Sequence, residues 1–294
     1  VMDAGEENKN LSTCESLWNE LSSLGADRDS VLINLGGGVV TDLGGFVACT
    51  FKRGIDFYNV PTTLLSMVDA SVGGKTGIDL GPLKNQIGII QEPQQVVIDS
   101  QWLATLPKEE VRSGFAEMLK HGLIADSKYW EELKTLEHLN PKVLSSFIKP
   151  SVAVKSKVVE EDPREKGLRK ILNFGHTLGH AIESYFLVEK DKQRLLHGEA
   201  IAIGMVLEAY LSTHCSGLSQ EEALDIKTTF KRFYPKTEIT KQDIEAILAL
   251  LRHDKKNKAG RVNFVLLNKI GTPAIDIEVP QALFEKAFDY YTSA

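Results

Sequence analysis

The sequence predicts two unlike parts: an α/β part with a parallel, doubly wound sheet over residues 1–106, then a mostly α-helical part over 107–294. Three observations predict this. Short apolar runs alternate with helix-periodic segments through the first third. A glycine-rich turn, Gly36-Gly37-Gly38, stands between the first such run and the helix after it. Beyond Leu106-Pro107 the apolar spacing is almost wholly helical.

The elements follow in order. Leu11, Cys14, Leu17, Trp18, Leu21 and Leu24 repeat at helical spacing, and Gly25 ends that helix. Ser30–Leu35 is a continuous apolar run and reads as a buried strand. A helix is expected over 39–51, a strand over 56–60 that stops at Pro61, a helical segment over 62–71 and a strand over 95–98. In the second part, helices fit roughly 108–125, 127–135, 141–160, 172–186, 198–215, 219–233 and 241–252. A late hairpin pairs 261–267 with 274–279 across Gly271-Thr-Pro273. The chain opens on Val1, and Val1–Gly5 reads as a strand end running into a turn, so upstream residues completing the sheet are expected.

Bulk properties narrow the function. With 294 residues, 43% hydrophobic and 25% charged, the chain has an ordinary globular composition. A net charge of -6 argues against general nucleic-acid or membrane-surface binding. Cys14, Cys49 and Cys215 are scattered and lack CxxC spacing, so free thiols in a reducing, cytoplasmic compartment are expected.

Five metal-capable side chains fall in three short segments: Glu117 and His121, His176 and His180, and His197. Each of the first two pairs is spaced four apart in a helical stretch and so shares a face. His and carboxylate ligands suit a zinc-like ion. Ordinary polar or core histidines are the competing reading. Amides at the Gly36-Gly37-Gly38 turn suit phosphate oxygens, but Thr41 takes the third glycine position of G-x-G-x-x-G, and a plain tight turn explains it as well. Asp69–Gly77 is a second glycine-rich segment, read as a loop presenting Lys75 to a substrate phosphate or hydroxyl, or as a surface loop without a ligand. Lys155, Lys157, Arg164, Arg169 and Lys170 precede the histidine helix and suit an anionic substrate, or a solvated helix face.

Taken together, these segments resemble the 3-dehydroquinate synthases of the shikimate pathway. The residues that carry the resemblance are Gly36-Gly-Gly-Val-Val-Thr-Asp42-Leu-Gly-Gly-Phe46, Arg53-Gly, Pro61-Thr-Thr-Leu-Leu-Ser-Met-Val-Asp69, Gly73-Gly-Lys75-Thr-Gly-Ile-Asp79 and Lys84-Asn85-Gln-Ile-Gly88. Ala116-Glu117-Met-Leu-Lys120, Asp162-Pro-Arg-Glu165, Leu172-Asn173-Phe-Gly-His176-Thr-Leu-Gly-His180, His197-Gly-Glu199 and Asp254-Lys-Lys256 continue it in family order.

The resemblance implies a dinucleotide-binding first domain that lacks its first strands, a helical metal-binding second domain, and an active site between them. It implies conversion of 3-deoxy-D-arabino-heptulosonate 7-phosphate, a small anionic sugar phosphate, to 3-dehydroquinate and phosphate, with NAD returned unchanged. The implied metal ligands are Glu117, His176 and His197, holding zinc or cobalt; His180 becomes a substrate-side group, unlike the spacing argument, and His121 has no ligand role. Catalytic roles are implied for His180, Lys75, Lys120, Asn85 and Glu165. Substrate contacts are implied for Arg53, Asp69, Lys155, Arg169, Asn173 and Lys256. NAD contacts are implied for Glu6, Lys9, Gly37, Gly38, Asp42, Thr62, Thr63, Lys84 and Leu106. A homodimer is expected, with neither nucleic acid nor membrane as partner. Related sugar-phosphate cyclases and metal-dependent polyol dehydrogenases are the alternatives. A dehydrogenase would release NADH and would not need Arg53, Lys75 and Asn85.

Overall fold

The computed structural model describes residues 1–3, 5–81, 83–251 and 262–293, without the Leu83 side chain. Lys256 lies outside the described residues. The chain divides into two compact units, Val1–Gly114 with Asn140–Ser156, and Phe115–Leu139 with Lys157–Ala294.

The first unit is α/β. Helix α1 (Leu11–Ser23) starts at Asn10, whose side chain accepts the Thr13 amide at 3.0 Å, an N-cap bond. Strand β1 (Val31–Gly36) leads through Gly37 into α2 (Gly38–Thr50), and β2 (Asp56–Pro61) pairs with β1 in parallel from Val31↔Asp56 to Gly36↔Pro61. A two-residue strand, β5 (Gln95–Val96), adds to β2, so the sheet order is β1-β2-β5. Cys14, Leu17, Trp18 and Leu21 of α1 pack with Leu43, Phe46 and Val47 of α2 and with Leu32. This matches the alternation read from the sequence.

Two expectations need correction. Ser30–Leu35 is not a fully buried strand: Val31, Ile33 and Leu35 are 52%, 64% and 54% exposed. β1 is terminal in its sheet and turns only Leu32 and Asn34 toward α2, so its side chains alternate between core and solvent. The glycine-rich segment carrying Lys75 is a turn only as far as Gly74. It forms strand β3 (Lys75–Leu80), antiparallel to β4 (Leu83–Ile90), with Lys75↔Ile90 and Ile78↔Ile87 in register. Ile78, Ile87 and Ile89 pack into the α1–α2 core, which stabilises the hairpin despite its weak strand composition. Segment 62–71 is helical only from Leu64, and it continues as a π-turn over Ser66–Ala70.

The second unit is helical apart from one hairpin. It contains most of α3 (Lys108–Ala125), then α4 (Ser127–Lys134), the end of α5 (Pro141–Glu161), α6 (His176–Val188), α7 (His197–Cys215), α8 (Gln220–Phe233) and α9 (Lys241–Leu251). The hairpin is β6 (Asn263–Lys269) with β7 (Thr272–Glu278), and α10 (Ala282–Thr292) closes the unit. Helix α7 is buried around its circumference from Ala200 to Ala209, as expected for a helix apolar on every face. Packed against it are α6, α8, α10 and β6.

Three differences from the sequence reading stand out here. The hairpin turns at Ile270-Gly271, where Gly271 has φ +83° and Lys269 pairs with Thr272, so Thr272 and Pro273 belong to the strand. A helix from 172 is interrupted: a 3-10 turn over Leu168–Asn173 ends before Gly175, and α6 begins at His176. Helix α10 lies outside the expected elements, although Phe284, Ala287, Phe288 and Tyr291 have helical spacing. No helix of the described residues is long and apolar enough to cross a membrane.

One buried acid ties α6 to α9. Asp243 accepts from Tyr185 Oη at 2.6 Å, Lys192 Nζ at 2.7 Å and the Thr240 amide at 2.6 Å. Burial alone would raise its pKa, but these bonds outweigh burial and hold it at about 2. A carboxylate with a folded pKa below its unfolded value of about 3.9 contributes stability that is complete above pH 4. That contribution disappears as pH falls through about 2. The Asp243→Asn variant should therefore be about 2 kcal/mol less stable than the parent near pH 7, and the two denaturation midpoints should converge between pH 4 and pH 2. A gap that does not change with pH would contradict this.

Candidate functional site

In the first unit, β1 delivers the chain into α2 at Gly36-Gly37-Gly38. Gly37 is the N-cap residue and offers no side chain to cap α2, while its carbonyl accepts the Val40 and Thr41 amides at 3.0 and 3.1 Å; a helix start without a side-chain cap suits an anion. The turn is tightly backed: a Cβ on Gly37 would lie 3.0 Å from Thr63 Cγ2, and one on Gly38 3.3 Å from Ala70 Cβ. The Thr62 amide donates to the Gly36 carbonyl at 2.8 Å, and Thr63 Oγ1 accepts the Ser66 amide at 3.1 Å.

Beside this turn lies a charged cluster. Lys9, 3% exposed, donates to Asp42 Oδ2 at 2.5 Å and to Asn85 Oδ1 at 2.6 Å. Burial opposes its charge, but Asp42 and Glu6 more than offset burial and raise its pKa. Burial likewise raises the Asp42 carboxyl, against the pull of Lys9. Glu6 is 3.9 Å from Lys9 and 3.7 Å from Lys84. Asn85 has φ +52°, a left-handed conformation to which asparagine is better suited than most residues, and its amide donates to Asp79 Oδ1 at 2.7 Å. Thus Glu6, Lys9, Asp42, Lys84 and Asn85 are brought together, far apart though they are in sequence.

The remaining first-unit candidates are more dispersed. Lys155 donates to both the carbonyl and Oδ1 of Asp69, each at 2.6 Å. Lys75 is exposed at the start of β3. Arg53 is exposed with φ +72°, next to Lys52 at φ +49°. Leu106 follows the turn at Ser100–Ala104, its amide 3.3 Å from the Leu103 carbonyl.

In the second unit, three helices meet at Glu117. Glu117 on α3 is fully buried, and its Oε1 accepts no hydrogen bond among the described residues. His176 Nε2 at the start of α6 is 3.6 Å from that oxygen, and His197 Nε2 at the start of α7 is 3.8 Å from it. The other ring nitrogens are engaged. His176 Nδ1 is 3.0 Å from the Phe174 carbonyl, and His197 Nδ1 is 3.2 Å from Glu183 Oε2. Both partners can only accept, so both Nδ1 atoms carry a proton and both Nε2 atoms lie on the Glu117 side of their rings. Lys120, one turn along α3 and 1% exposed, pairs with the other Glu117 oxygen.

A buried carboxylate oxygen without a hydrogen bond, faced by two imidazole Nε2 atoms, is a donor set that fits a divalent ion of zinc type. The ligating atoms of Glu117, His176 and His197 all lie within 4.8 Å of one another. A second grouping within this unit, His180, Glu183 and His197, meets the same limit. There Glu183 already backs His197. The His180 ring is 5.1 Å from that of His176, edge to face. His121 is fully buried one turn beyond Glu117.

Near this cluster, Arg169 is 2% exposed and donates to the Pro163 carbonyl at 2.8 Å. Asn173 donates to Glu165 Oε1 at 2.6 Å, and Glu165 has φ +54°. The sequence reading misses Glu183 and Glu208 as functional residues. Their signal was a carboxylate within an otherwise apolar helix, which needs a buried partner.

The chain's likenesses agree with this geometry. Residues 1–113 match the family model described as 3-dehydroquinate synthase N-terminal, and residues 114–257 match the C-terminal model of the same family. A 3-dehydroquinate synthase from Parabacteroides distasonis is 44% identical over 293 residues, spanning 99% of this chain and 82% of that protein. The crystal structure of a 2-deoxy-scyllo-inosose synthase complexed with carbaglucose-6-phosphate, NAD+ and Co2+ superimposes with a TM-score of 0.86 at 30% identity, covering 97% of this chain and 80% of the other. The 2-epi-5-epi-valiolone synthase ValA from Streptomyces hygroscopicus, with NAD+ and Zn2+ bound, gives 0.85 at 28% identity, covering 99% and 81%.

His176 offers a direct check of the cluster. Burial first, then Lys120, His180 and His197, hold its pKa well below the ordinary imidazole range, against the opposing Phe174 bond. In the metal-free protein its ring should stay neutral and Nδ1-protonated from pH 8 to pH 6 in imidazole nitrogen NMR. A ring that titrates near 6.5, the unperturbed value, would contradict the tautomer derived above.

Proposed function

The chain belongs to the 3-dehydroquinate synthase family, and from that premise we propose that it converts 3-deoxy-D-arabino-heptulosonate 7-phosphate to 3-dehydroquinate and phosphate. The observation that carries the proposal is the Glu117 Oε1 atom: buried, without a hydrogen bond, and faced by the Nε2 atoms of His176 and His197. Glu117, His176 and His197 would hold a divalent ion, zinc or cobalt. The Gly37 and Gly38 amides would receive the NAD pyrophosphate, with Glu6, Lys9, Asp42, Thr62, Thr63, Lys84 and Leu106 as further NAD contacts. When bound, the ion supplies Lewis-acid polarisation of a substrate oxygen and NAD supplies a reversible hydride acceptor.

The chain's own residues would do the binding and orienting. Arg169 and Lys155 would supply cationic groups for carboxylate and phosphate, with one arm of the Arg169 fork already held by its bond to Pro163. Asn173 is set by Glu165, and Asn85 by Lys9, so each presents its amide group in one orientation. Arg53, Asp69 and Lys75 are the further substrate contacts of this reading, with Lys256 beyond the described residues. Lys120 pairs with Glu117 and would be the group that moves a proton there. His180 stands at the edge of the His176 ring, where it can hold a substrate hydroxyl. A homodimer in the cytoplasm is part of the same reading and is checked by light scattering and fractionation.

Phosphate release from the heptulosonate phosphate, with and without NAD and with and without chelator, tests the reaction. Product should form only when NAD and the ion are both present, and NADH absorbance should not accumulate with it. Accumulation matching turnover would indicate a dehydrogenase, and activity restricted to other sugar phosphates a related cyclase. A second measurement tests the ligands. His176→Ala and His197→Ala should each lose bound metal and activity together. Either variant keeping stoichiometric zinc by elemental analysis would overturn the assignment.

A further inference from the structure

We propose that Glu208 is a positioning residue for His176, acting through the peptide group that joins Phe174 to Gly175. The proposal rests on the reading of Glu117, His176 and His197 as metal ligands. Glu208 lies in the middle of α7 and is fully buried. Its Oε2 accepts the Gly175 amide at 2.6 Å and its Oε1 accepts the Leu178 amide at 3.1 Å. Gly175 is the N-cap residue of α6 and Leu178 lies in its first turn, where a carboxylate is favoured by the helix dipole and meets donors that no helical carbonyl can satisfy.

The Gly175 amide and the Phe174 carbonyl belong to one planar, trans peptide unit. Glu208 holds that unit by its N–H edge. The opposite edge, the Phe174 carbonyl, accepts His176 Nδ1 at 3.0 Å. The unit cannot rotate without breaking one bond or the other, so the carboxylate sets the carbonyl that sets the imidazole. The backbone there has no other place to go. A Cβ on Gly175 would lie 2.2 Å from Met205 Cγ, and a Cβ on Gly204 would lie 2.0 Å from the Gly175 carbonyl. Gly204 is one turn before Glu208, so α7 presses on this turn with backbone and fastens it with the carboxylate.

Both imidazoles of the cluster are therefore backed by an acid. Glu183 does this for His197 directly, and Glu208 does it for His176 with a peptide group between them. His197 begins the same helix that carries Glu208, so α7 supplies one candidate ligand and orients the other. Residues behind a ligand usually tune affinity rather than create it.

Glu208→Gln tests this. The amide can accept from only one of the two N–H groups and turns a donor toward the other. Zinc affinity, read by chelator competition, should weaken by roughly 10- to 100-fold, the visible spectrum of the Co2+-loaded protein should shift, and the His176 Nδ1–H signal of the metal-free protein should move. Trp130→Phe, which loses the buried bond to Asp225 at 3.1 Å, serves as a destabilised control and should leave all three readouts unchanged. A Glu208→Gln protein with parental zinc affinity, cobalt spectrum and Nδ1–H signal overturns the proposal, whatever its melting temperature. A parent chain that holds no zinc overturns the ligand reading and this proposal with it. Should Glu208→Gln not fold, Glu208→Asp keeps the charge but shortens its reach and is read by the same measurements, with the same expected losses.

Discussion

A carboxylate removed from water must be compensated, and the second unit is arranged around one that is. Glu117 sits on α3 with no exposed surface. The cost of burying an isolated charge runs to several kcal/mol even after relaxation, so its surroundings have to supply positive charge, hydrogen-bond donors or an ion. Lys120 answers one oxygen from a turn along the same helix. The other oxygen is left to the space in front of His176 and His197. Every neighbouring feature follows from that need: histidines at the first turns of α6 and α7, acids behind them, and a core helix that carries both a ligand candidate and an anchor.

The first unit solves a similar problem by different means. Lys9 is nearly as buried as Glu117, and its charge is kept by Asp42 and Glu6 while Asn85 takes a further hydrogen. The uncapped start of α2 lies beside this cluster and adds the partial positive charge of its amides. Polar groups held in this way have little freedom, so they present fixed hydrogen-bonding directions rather than a mobile surface.

Local signals made much of the fold legible. The alternation of 31–36, 38–50 and 56–61 as strand, helix and strand was plain from periodicity, as was the long helical run after Pro107. The β3–β4 hairpin was not legible, because Gly73, Gly74, Gly77, Gly81 and Gly88 outweigh Ile78, Ile87, Ile89 and Ile90 in any local count, and only the packing of the first three of these isoleucines on α1 and α2 makes it a sheet. The exposure of β1 was hidden for the opposite reason. Val31, Ile33 and Leu35 look like core residues, but they lie on the face of the strand opposite Leu32 and Asn34, away from α2. At the candidate site, helical spacing pointed to His176 with His180, both visible in one segment. The approach of Glu117, His176 and His197 joins three helices and no local pattern encodes it; the resemblance of the segments to a family supplied that grouping. Glu208 carried no motif, and its meaning came from the peptide it holds.

The three groups around the Glu117 oxygen come from α3, α6 and α7, and in an extended chain they are too far apart to share an ion. An ion that needs all three can bind only after the helices have packed, so its binding energy is added to the folded state and withheld from the unfolded one. Occupancy then acts as a thermodynamic latch. Free ion at 100 times its dissociation constant would deepen the folded basin of that unit by about 2.7 kcal/mol, comparable to a good part of a domain's net stability. Scarcity of the ion would thus shorten the lifetime of the chain against proteolysis as well as lower its turnover.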